Sequence, residues 1–118
     1  MNGTLSAVVT LTLPRIVSVM VTDDTVSVDL EDGRTIAVPI GWYPRLAHGT
    51  LAERTNFQIS GAGYSIHWPE LDEDITVEGL LAGRRSGETP QSLKRWLSLR
   101  VSARAGRPTK AMTRRSRR

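Results

Sequence analysis

The pattern of apolar and polar residues predicts three antiparallel strands in the first part of the chain. Residues 16–21 are a run of mostly β-branched and apolar residues, and residues 25–30 and 35–40 alternate apolar with polar side chains. A period of two residues is typical of a strand with one buried face. The intervening TDDT at 22–25 and EDG at 31–33 suit tight turns, because Asp and Gly accept the backbone conformations that turns require. The three strands are therefore expected to form a meander.

The alternation stops near residue 41, and the residues that follow predict short helices. Residues 41–48 suit one helical turn packed against the sheet. Thr50 and Glu53 have the spacing of a capping box, in which a hydroxyl and a carboxylate satisfy free amides at the start of a helix. We expect a brief helix to begin after Thr50.

Two more short strands and another helix are predicted after the capping box. The strands cover residues 57–60 and 64–68, and residues 70–74 are interpreted as an acidic turn. Thr76 suits the start of a helix that Gly83 ends. The predicted fold class is α+β, with an antiparallel three-stranded meander, short helices and two short strands.

The composition changes after residue 83, where a basic helix and a tail are expected. Pro90 suits the first helical position, because its missing amide has no helical partner there. Residues 105–118 contain too few apolar side chains to fold alone. We therefore expect an N-terminal extension or edge strand at 1–14, an α+β domain at 15–83, a linker at 84–89, an amphipathic basic helix at 90–104 and a disordered Arg-rich tail at 105–118.

Charge is divided unequally along the chain. Residues 1–83 contain four arginines and eleven acidic residues, a net charge of −7. Residues 84–118 contain twelve Lys or Arg residues and one acid, Glu88, a net charge of +11. The overall +4 therefore hides an acidic body and a basic end, and this separation points to a binding protein.

Length and composition exclude several classes of protein. The 118 residues suit one domain with an appendage, and the absence of cysteine excludes disulfides, cysteine zinc sites and thiol nucleophiles. No apolar run approaches the ~18 residues that span a bilayer. Residues 1–13 lack the basic start of a secretory signal. We expect a cytoplasmic protein that has no membrane partner and needs no cofactor.

Three stretches of the chain resemble one bacterial family. They are PRIVSVMVTDDTVSVDLEDGRTIAVPIGWYPRL, HGTLAERTNF and GYSIHWPELDEDITVEGLLAG, which lie between about residue 15 and residue 83. The resemblance is to domain of unknown function 2442 and extends into the 90–104 helix. It implies a small α+β domain and no established catalytic residues. Some members carry a helix-turn-helix DNA-binding region after the domain, and members are often encoded beside another small protein of unknown function (number 4160), an arrangement similar to toxin–antitoxin pairs.

A histidine near several carboxylates is the best candidate for a metal site. His67, Asp72 and Asp74 supply ligand types that suit a hard or borderline divalent ion. Their spacing matches no defined metal-binding loop, so we favour a strand end followed by a solvated turn. We assign no catalytic, cofactor-binding or metal-binding residue.

The basic end and the aromatic residues supply the candidate contact residues. Clustered cations favour phosphate contact, and the same cations also suit a protein partner or the acidic body. Trp42 and Trp68 are expected in the core, whereas the two tyrosines are open between the core and a partner patch. The candidate nucleic-acid or partner contacts are Lys94, Arg95, Arg100, Arg104, Arg107, Lys110, Arg114, Arg115, Arg117 and Arg118. The candidate partner patch is Tyr43, Tyr64, Leu93, Trp96 and Leu97.

Three functional hypotheses follow from these observations. The leading one is a non-catalytic, antitoxin-like or regulatory protein that binds a small cognate protein encoded nearby and contacts DNA through its basic end. The second is a stand-alone interaction module that self-associates, as a homodimer, without binding nucleic acid. The third, which we favour least, is a metal-dependent enzyme that uses His67 and the nearby acids.

Overall fold

The computed structural model describes residues 13–106, and the side chains as far as residue 103. The chain divides into two units, one ending at Ser86 and one beginning at Gly87, which are described separately. The extension or edge strand expected at 1–14 and the tail expected at 105–118 lie almost wholly outside the described residues. No helix of the described residues is long and apolar enough to cross a membrane.

The first sheet is the predicted meander. It contains β1 (Ile16–Val21), β2 (Thr25–Leu30) and β3 (Thr35–Pro39), antiparallel and in the order β1-β2-β3. The apolar positions of β2 that alternate in the sequence are the buried ones. The register shifts between Ile16 and Ser18, so β1 carries one irregularity near its start.

Two short helices follow the meander, as the sequence predicts. Helix α1 (Pro44–Ala47) follows a 3₁₀ turn, and helix α2 (Leu51–Thr55) begins at the predicted capping box. The Thr50 hydroxyl accepts from the Glu53 amide at 3.1 Å, and the Glu53 carboxylate accepts from the Thr50 amide at 2.8 Å. These two bonds satisfy amides that would otherwise lack helical partners.

The second sheet has three strands where the sequence predicts two. Its antiparallel order is β4 (Gln58–Ser60), β5 (Ser65–Trp68) and β6 (Glu73–Thr76). The acidic turn predicted over 70–74 is therefore too long, because its last two residues begin β6. The left-handed backbone of Asp72, with φ of 51°, reverses the chain and lets β6 pair with β5.

The last helix of the first unit is α3 (Val77–Leu81). The Thr76 hydroxyl accepts from the Gly79 amide at 2.9 Å, which confirms Thr76 as its N-cap. Gly83 follows the helix with φ of 71°, a conformation in which glycine avoids the clash that a Cβ would cause. Helix α3 contacts β6 and β3, and α2 contacts β1, so the short helices link both sheets.

The core of the first unit draws on both sheets and on the helices between them. Trp68 is fully buried, as predicted. The buried apolar side chains are Ile16, Val21, Val26, Val28, Leu30, Val38, Ile40, Tyr43, Leu46, Ile66, Trp68, Leu71, Ile75, Val77 and Leu80.

Tyr43 belongs to this core and not to a surface patch. Its side chain is 4% exposed, and its hydroxyl donates to the Arg84 carbonyl oxygen at 3.1 Å. Burial, together with the negative charge of Glu73, raises the pKa of the Tyr43 hydroxyl above its ordinary value. The assignment of Tyr43 to the partner patch is therefore wrong, since its ring is not available to a partner.

Arg54 connects three parts of the first unit through hydrogen bonds. Its side chain is only 11% exposed and donates to the carbonyl oxygens of Leu46 at 2.9 Å and Ala47 at 2.8 Å. It also donates to the Asp23 carboxylate, in the turn before β2, at 2.8 Å. The Arg54 carbonyl oxygen accepts from the Trp68 indole at 2.9 Å. One residue thus joins the end of α1, the first sheet and the centre of the second.

Arg15 makes a second connection between the sheets. It precedes β1, and its Nε donates to the Ala62 carbonyl oxygen at 3.0 Å in the loop before β5. Its guanidinium lies 5.4 Å from the centroid of the Tyr64 ring. Gly63 has φ of +96°, and a Cβ there would lie 2.9 Å from the Arg15 side chain. The backbone conformation therefore favours glycine at 63, and any other residue would also have to displace the Arg15 side chain.

The second unit contains helix α4 (Pro90–Gly106). The Thr89 hydroxyl accepts from the Ser92 amide at 3.0 Å, and the Ser92 hydroxyl accepts from the Thr89 amide at 3.0 Å. The helix ends two residues beyond the predicted range of 90–104. Its apolar residues do not form one clean face, because Leu99 and Val101 are each 63% exposed and lie on different sides. The helix is thus less amphipathic than the sequence analysis suggests.

Replacing Arg54 by alanine tests its connecting role. We expect R54A to lower the free energy of unfolding by about 2–4 kcal/mol, because two partly buried carbonyl oxygens lose a charged donor. The measurement is urea denaturation followed by circular dichroism. As a control, R34A removes an exposed turn arginine and should lower the free energy by less than about 1 kcal/mol. Equal effects of the two variants would contradict the role of Arg54.

Candidate functional site

The candidate metal ligands are only partly brought together. His67 and Asp74 face each other across β5 and β6, and the His67 Nδ1 lies 2.8 Å from an Asp74 carboxylate oxygen. Asp72 instead pairs with Arg45 at 3.5 Å. Residues 13–106 contain no group of three or more His, Asp or Glu side chains placed to hold a metal ion. The arrangement amounts to one exposed cross-strand pair.

The arginines of the first unit, as far as Arg84, are matched by carboxylates. Each of the five has a carboxylate oxygen within 4.0 Å, so each positive charge is balanced locally. The pairs are Arg15–Glu31 at 3.9 Å, Arg34–Asp32 at 2.7 Å, Arg45–Asp72 at 3.5 Å, Arg54–Asp23 at 2.8 Å and Arg84–Glu78 at 4.0 Å.

Hydrogen bonds lower the pKa of two surface carboxyls of this unit. Thr35 and Ser18 donate hydroxyl bonds to Asp29, at 2.6 and 2.7 Å, and lower the pKa of its carboxyl. The Arg34 side chain and amide likewise lower the pKa of Asp32. Because acids outnumber arginines in residues 1–83, the body stays negative at neutral pH.

Arg85 differs from the arginines before it. It is exposed, and its guanidinium carbon lies 4.8 Å from the centroid of the Trp42 ring. No carboxylate among the described residues pairs with it. Trp42, which is expected in the core, is half-buried and not among the fully buried side chains. Sequence reasoning missed this contact, because nothing in the pattern relates residue 42 to residue 85.

Helix α4 carries the described part of the candidate contact residues. Lys94 and Arg95 are exposed and have no carboxylate partner among the described residues. The Arg100 guanidinium lies 4.6 Å from the centroid of the Trp96 ring, one turn earlier. Arg104 lies in the helix, but its side chain is outside the description. The remaining candidates, Arg107, Lys110, Arg114, Arg115, Arg117 and Arg118, lie outside the described residues.

The three described cations of α4 point in different directions. At about 100° per residue, Lys94, Arg95 and Arg100 are separated by roughly 100–140° around the helix axis. The 17 residues of the helix span about 25 Å. The helix is therefore positive on several sides along its length, which is not the charge pattern of a helix with one solvated face.

The remaining members of the candidate partner patch are divided between the two units. Tyr64 is half-buried in the first unit beneath Arg15, whereas the other remaining members lie on α4. Leu93, Trp96 and Leu97 are each half-buried. Tyr64, Leu93, Trp96 and Leu97 thus stay candidates for partner contact, each partly exposed in its own unit.

Comparison with known proteins identifies relatives without a described activity. A family model described as a protein of unknown function (DUF2442) matches residues 16–86. The crystal structure of a protein of unknown function from Rhodospirillum rubrum is 32% identical, with a TM-score of 0.55, over 68% of this chain and 96% of that chain. The solution structure of an uncharacterized protein from Chromobacterium violaceum is 19% identical, with a TM-score of 0.57, over 73% of this chain and 81% of that chain, and shows the fold alone. No curated protein matches.

Titration calorimetry tests whether the His67–Asp74 pair binds metal. We expect only the heat of dilution with Mg²⁺, Mn²⁺ and Zn²⁺, because two exposed ligands compete poorly with water for an ion. The control is H67A, which should give the same traces. A saturable heat of binding that is lost in H67A would contradict this interpretation. It would support the hypothesis of a metal-dependent enzyme.

Proposed function

The chain belongs to the DUF2442 family, and we propose that it is a non-catalytic, antitoxin-like or regulatory binding protein. Its basic C-terminal region contacts DNA, and the protein also binds a small cognate protein. The relatives found by comparison carry no described activity, so the proposal is argued from the charges and contacts of this chain.

The proposed DNA contact rests mainly on one observation. The pairing of cations with carboxylates changes along the chain. Arginines up to Arg84 sit beside carboxylates. Lys94 and Arg95 have no such partner among the described residues, and no acidic residue follows Glu88. Cations without local partners are those that release counterions when they meet phosphate.

The distribution of charge around α4 suits a groove of duplex DNA. A helix in the major groove has a phosphate backbone on each side, so cations on several faces of the helix can contact phosphates together. Lys94 and Arg95 lie about 100° apart, which directs them towards different sides of such a groove. This geometry supports contact with a duplex and predicts little dependence on base sequence.

The acidic body confines the contact to the basic region. A net charge of −7 over residues 1–83 repels a phosphate backbone. The arginines there are already matched by carboxylates, so they offer little new electrostatic energy on binding. The function therefore depends on residues beyond about 84.

The proposal that the protein binds a small cognate protein rests on the gene arrangement that the family resemblance implies. A small protein encoded nearby is the expected partner. In an antitoxin-like role, binding of that partner would be coupled to DNA binding. Apolar side chains of α4 supply a contact surface, since Leu93, Trp96 and Leu97 are half-buried and Val101 is exposed.

DNA affinity measured against salt concentration tests the proposal. For the full chain, we expect the logarithm of affinity to fall linearly with the logarithm of salt concentration. The double variant K94Q/R95Q should reduce that slope by about 1.8, at roughly 0.9 per lost phosphate contact. R34Q is the matched control, because Arg34 is paired with Asp32, and should leave the slope unchanged. A chain ending at residue 88 should show almost no binding.

Two results would contradict the DNA half of the proposal. One is equal binding by the full chain and the chain ending at residue 88. The other is an affinity of the full chain that does not depend on salt.

The second candidate function is a self-associating interaction module, and the exposure of Leu99 and Val101 on α4 favours it. Sedimentation analysis of the full chain separates it from the first. We expect a monomer at low micromolar concentration under the DNA-binding proposal, since so few apolar side chains of one helix bury little surface. A stable dimer that shows no affinity for DNA would support the module instead.

A further inference from the structure

We propose that Arg85, held on the face of Trp42, contacts a phosphate of the bound DNA. Arg85 lies in the first unit, five residues before α4 begins, and is not among the basic residues singled out from the sequence. This inference rests on the proposed DNA binding and adds a specific site to it.

The backbone on both sides of Arg85 is fixed to the body. The Arg84 amide donates to the Gly79 carbonyl oxygen at 2.9 Å, and the Arg84 carbonyl oxygen accepts from the Tyr43 hydroxyl at 3.1 Å. The Ser86 amide donates to the Trp42 carbonyl oxygen at 3.0 Å. Arg85 is therefore presented from a fixed segment, which reduces the entropy lost when it binds.

The side chain of Arg85 is oriented without being neutralised. Its guanidinium lies over the Trp42 ring at 4.8 Å, a contact that holds the group through its flat face. The N–H groups at the edge of a stacked guanidinium remain able to donate to a phosphate oxygen. The indole has no formal charge, so the full positive charge remains available to a ligand.

Comparison with the neighbouring arginine shows that this arrangement is particular to Arg85. Arg84 has the same side chain and lies 4.0 Å from the Glu78 carboxylate. Arg85 has no carboxylate partner among the described residues and is the first arginine in the chain of which this is true. Before Arg85, each arginine of the described residues has a carboxylate nearby, and at Arg85 this pairing stops.

A phosphate backbone is the ligand that fits this position best. The residues after Arg85 contain ten Lys or Arg and a single acid, so the basic region follows Arg85 directly in the sequence. A duplex offers regularly repeated negative charges, to which each separate cation can add one contact. An acidic protein partner would also satisfy Arg85, and that case is one outcome of the test below.

The test is the salt dependence of duplex DNA binding by full-length variants. R85Q should reduce the slope by about 0.9, because one phosphate contact is lost. R34Q removes the same charge from a paired arginine and should leave the slope unchanged. R85K keeps the charge and should retain the slope while binding more weakly, because lysine lacks the planar group that stacks on Trp42.

Tryptophan fluorescence supplies a second measurement that needs no change at Arg85. In the W96F chain, emission comes from the half-buried Trp42 and the fully buried Trp68. Saturating DNA should change the emission of W96F. It should leave that of W42F/W96F unchanged, because only Trp68 remains. If R85Q does not fold, this pair of variants decides the question.

The failure of this inference is distinguishable from that of the proposed function. If wild type binds DNA and R85Q keeps the full slope, Arg85 makes no phosphate contact and the inference is overturned. If W96F binds DNA without a change in emission, the inference is overturned as well. If the wild-type chain binds no DNA, the proposed function fails and the inference fails with it, which would leave an acidic protein as the partner of Arg85.

Discussion

The fold depends most on the hydrogen bonds of Arg54. This chain has two three-stranded sheets joined by very short helices, and each sheet has to bury its apolar face against another element. The nearly buried guanidinium binds the end of α1 and Asp23, while the Arg54 carbonyl oxygen binds the indole of Trp68. Because a buried charge is costly unless it is satisfied, this geometry fixes where the sheets and helices meet. The fixed body in turn gives Arg84, Arg85 and Ser86 their positions.

Local signals allowed much of the fold to be predicted. The meander, the capping box at Thr50 and the start of α3 all depend on residues close in sequence, and the structure confirms them. Strand β6 was missed because its first residues are acidic, and only pairing with β5 explains them. The full burial of Tyr43 and the partial burial of Trp42 could not be predicted for the same reason, since burial is decided by distant packing. The stacking of Arg85 on Trp42 likewise joins residues far apart in the chain.

The arrangement of charge links the fold to the proposed function. Within the body, carboxylates neutralise arginines, and acids outnumber arginines over residues 1–83, so the body carries a net negative charge. From Arg85 onwards, cations stack on aromatic rings or stand exposed on α4. The sequence shows this division as two net charges. The structure adds which cations are already matched, and that distinction selects the residues through which a phosphate backbone would be bound.

The indole N–H signals of the three tryptophans in an NMR titration test this account most directly. On adding a short DNA duplex to the ¹⁵N-labelled full chain, we predict that the Trp42 and Trp96 signals shift, because both rings lie against arginines of the interface. The Trp68 signal should stay in place, since its indole is bonded to Arg54 inside the body. Equal shifts of all three signals, or no shift of any, would contradict an interface that begins at Arg85.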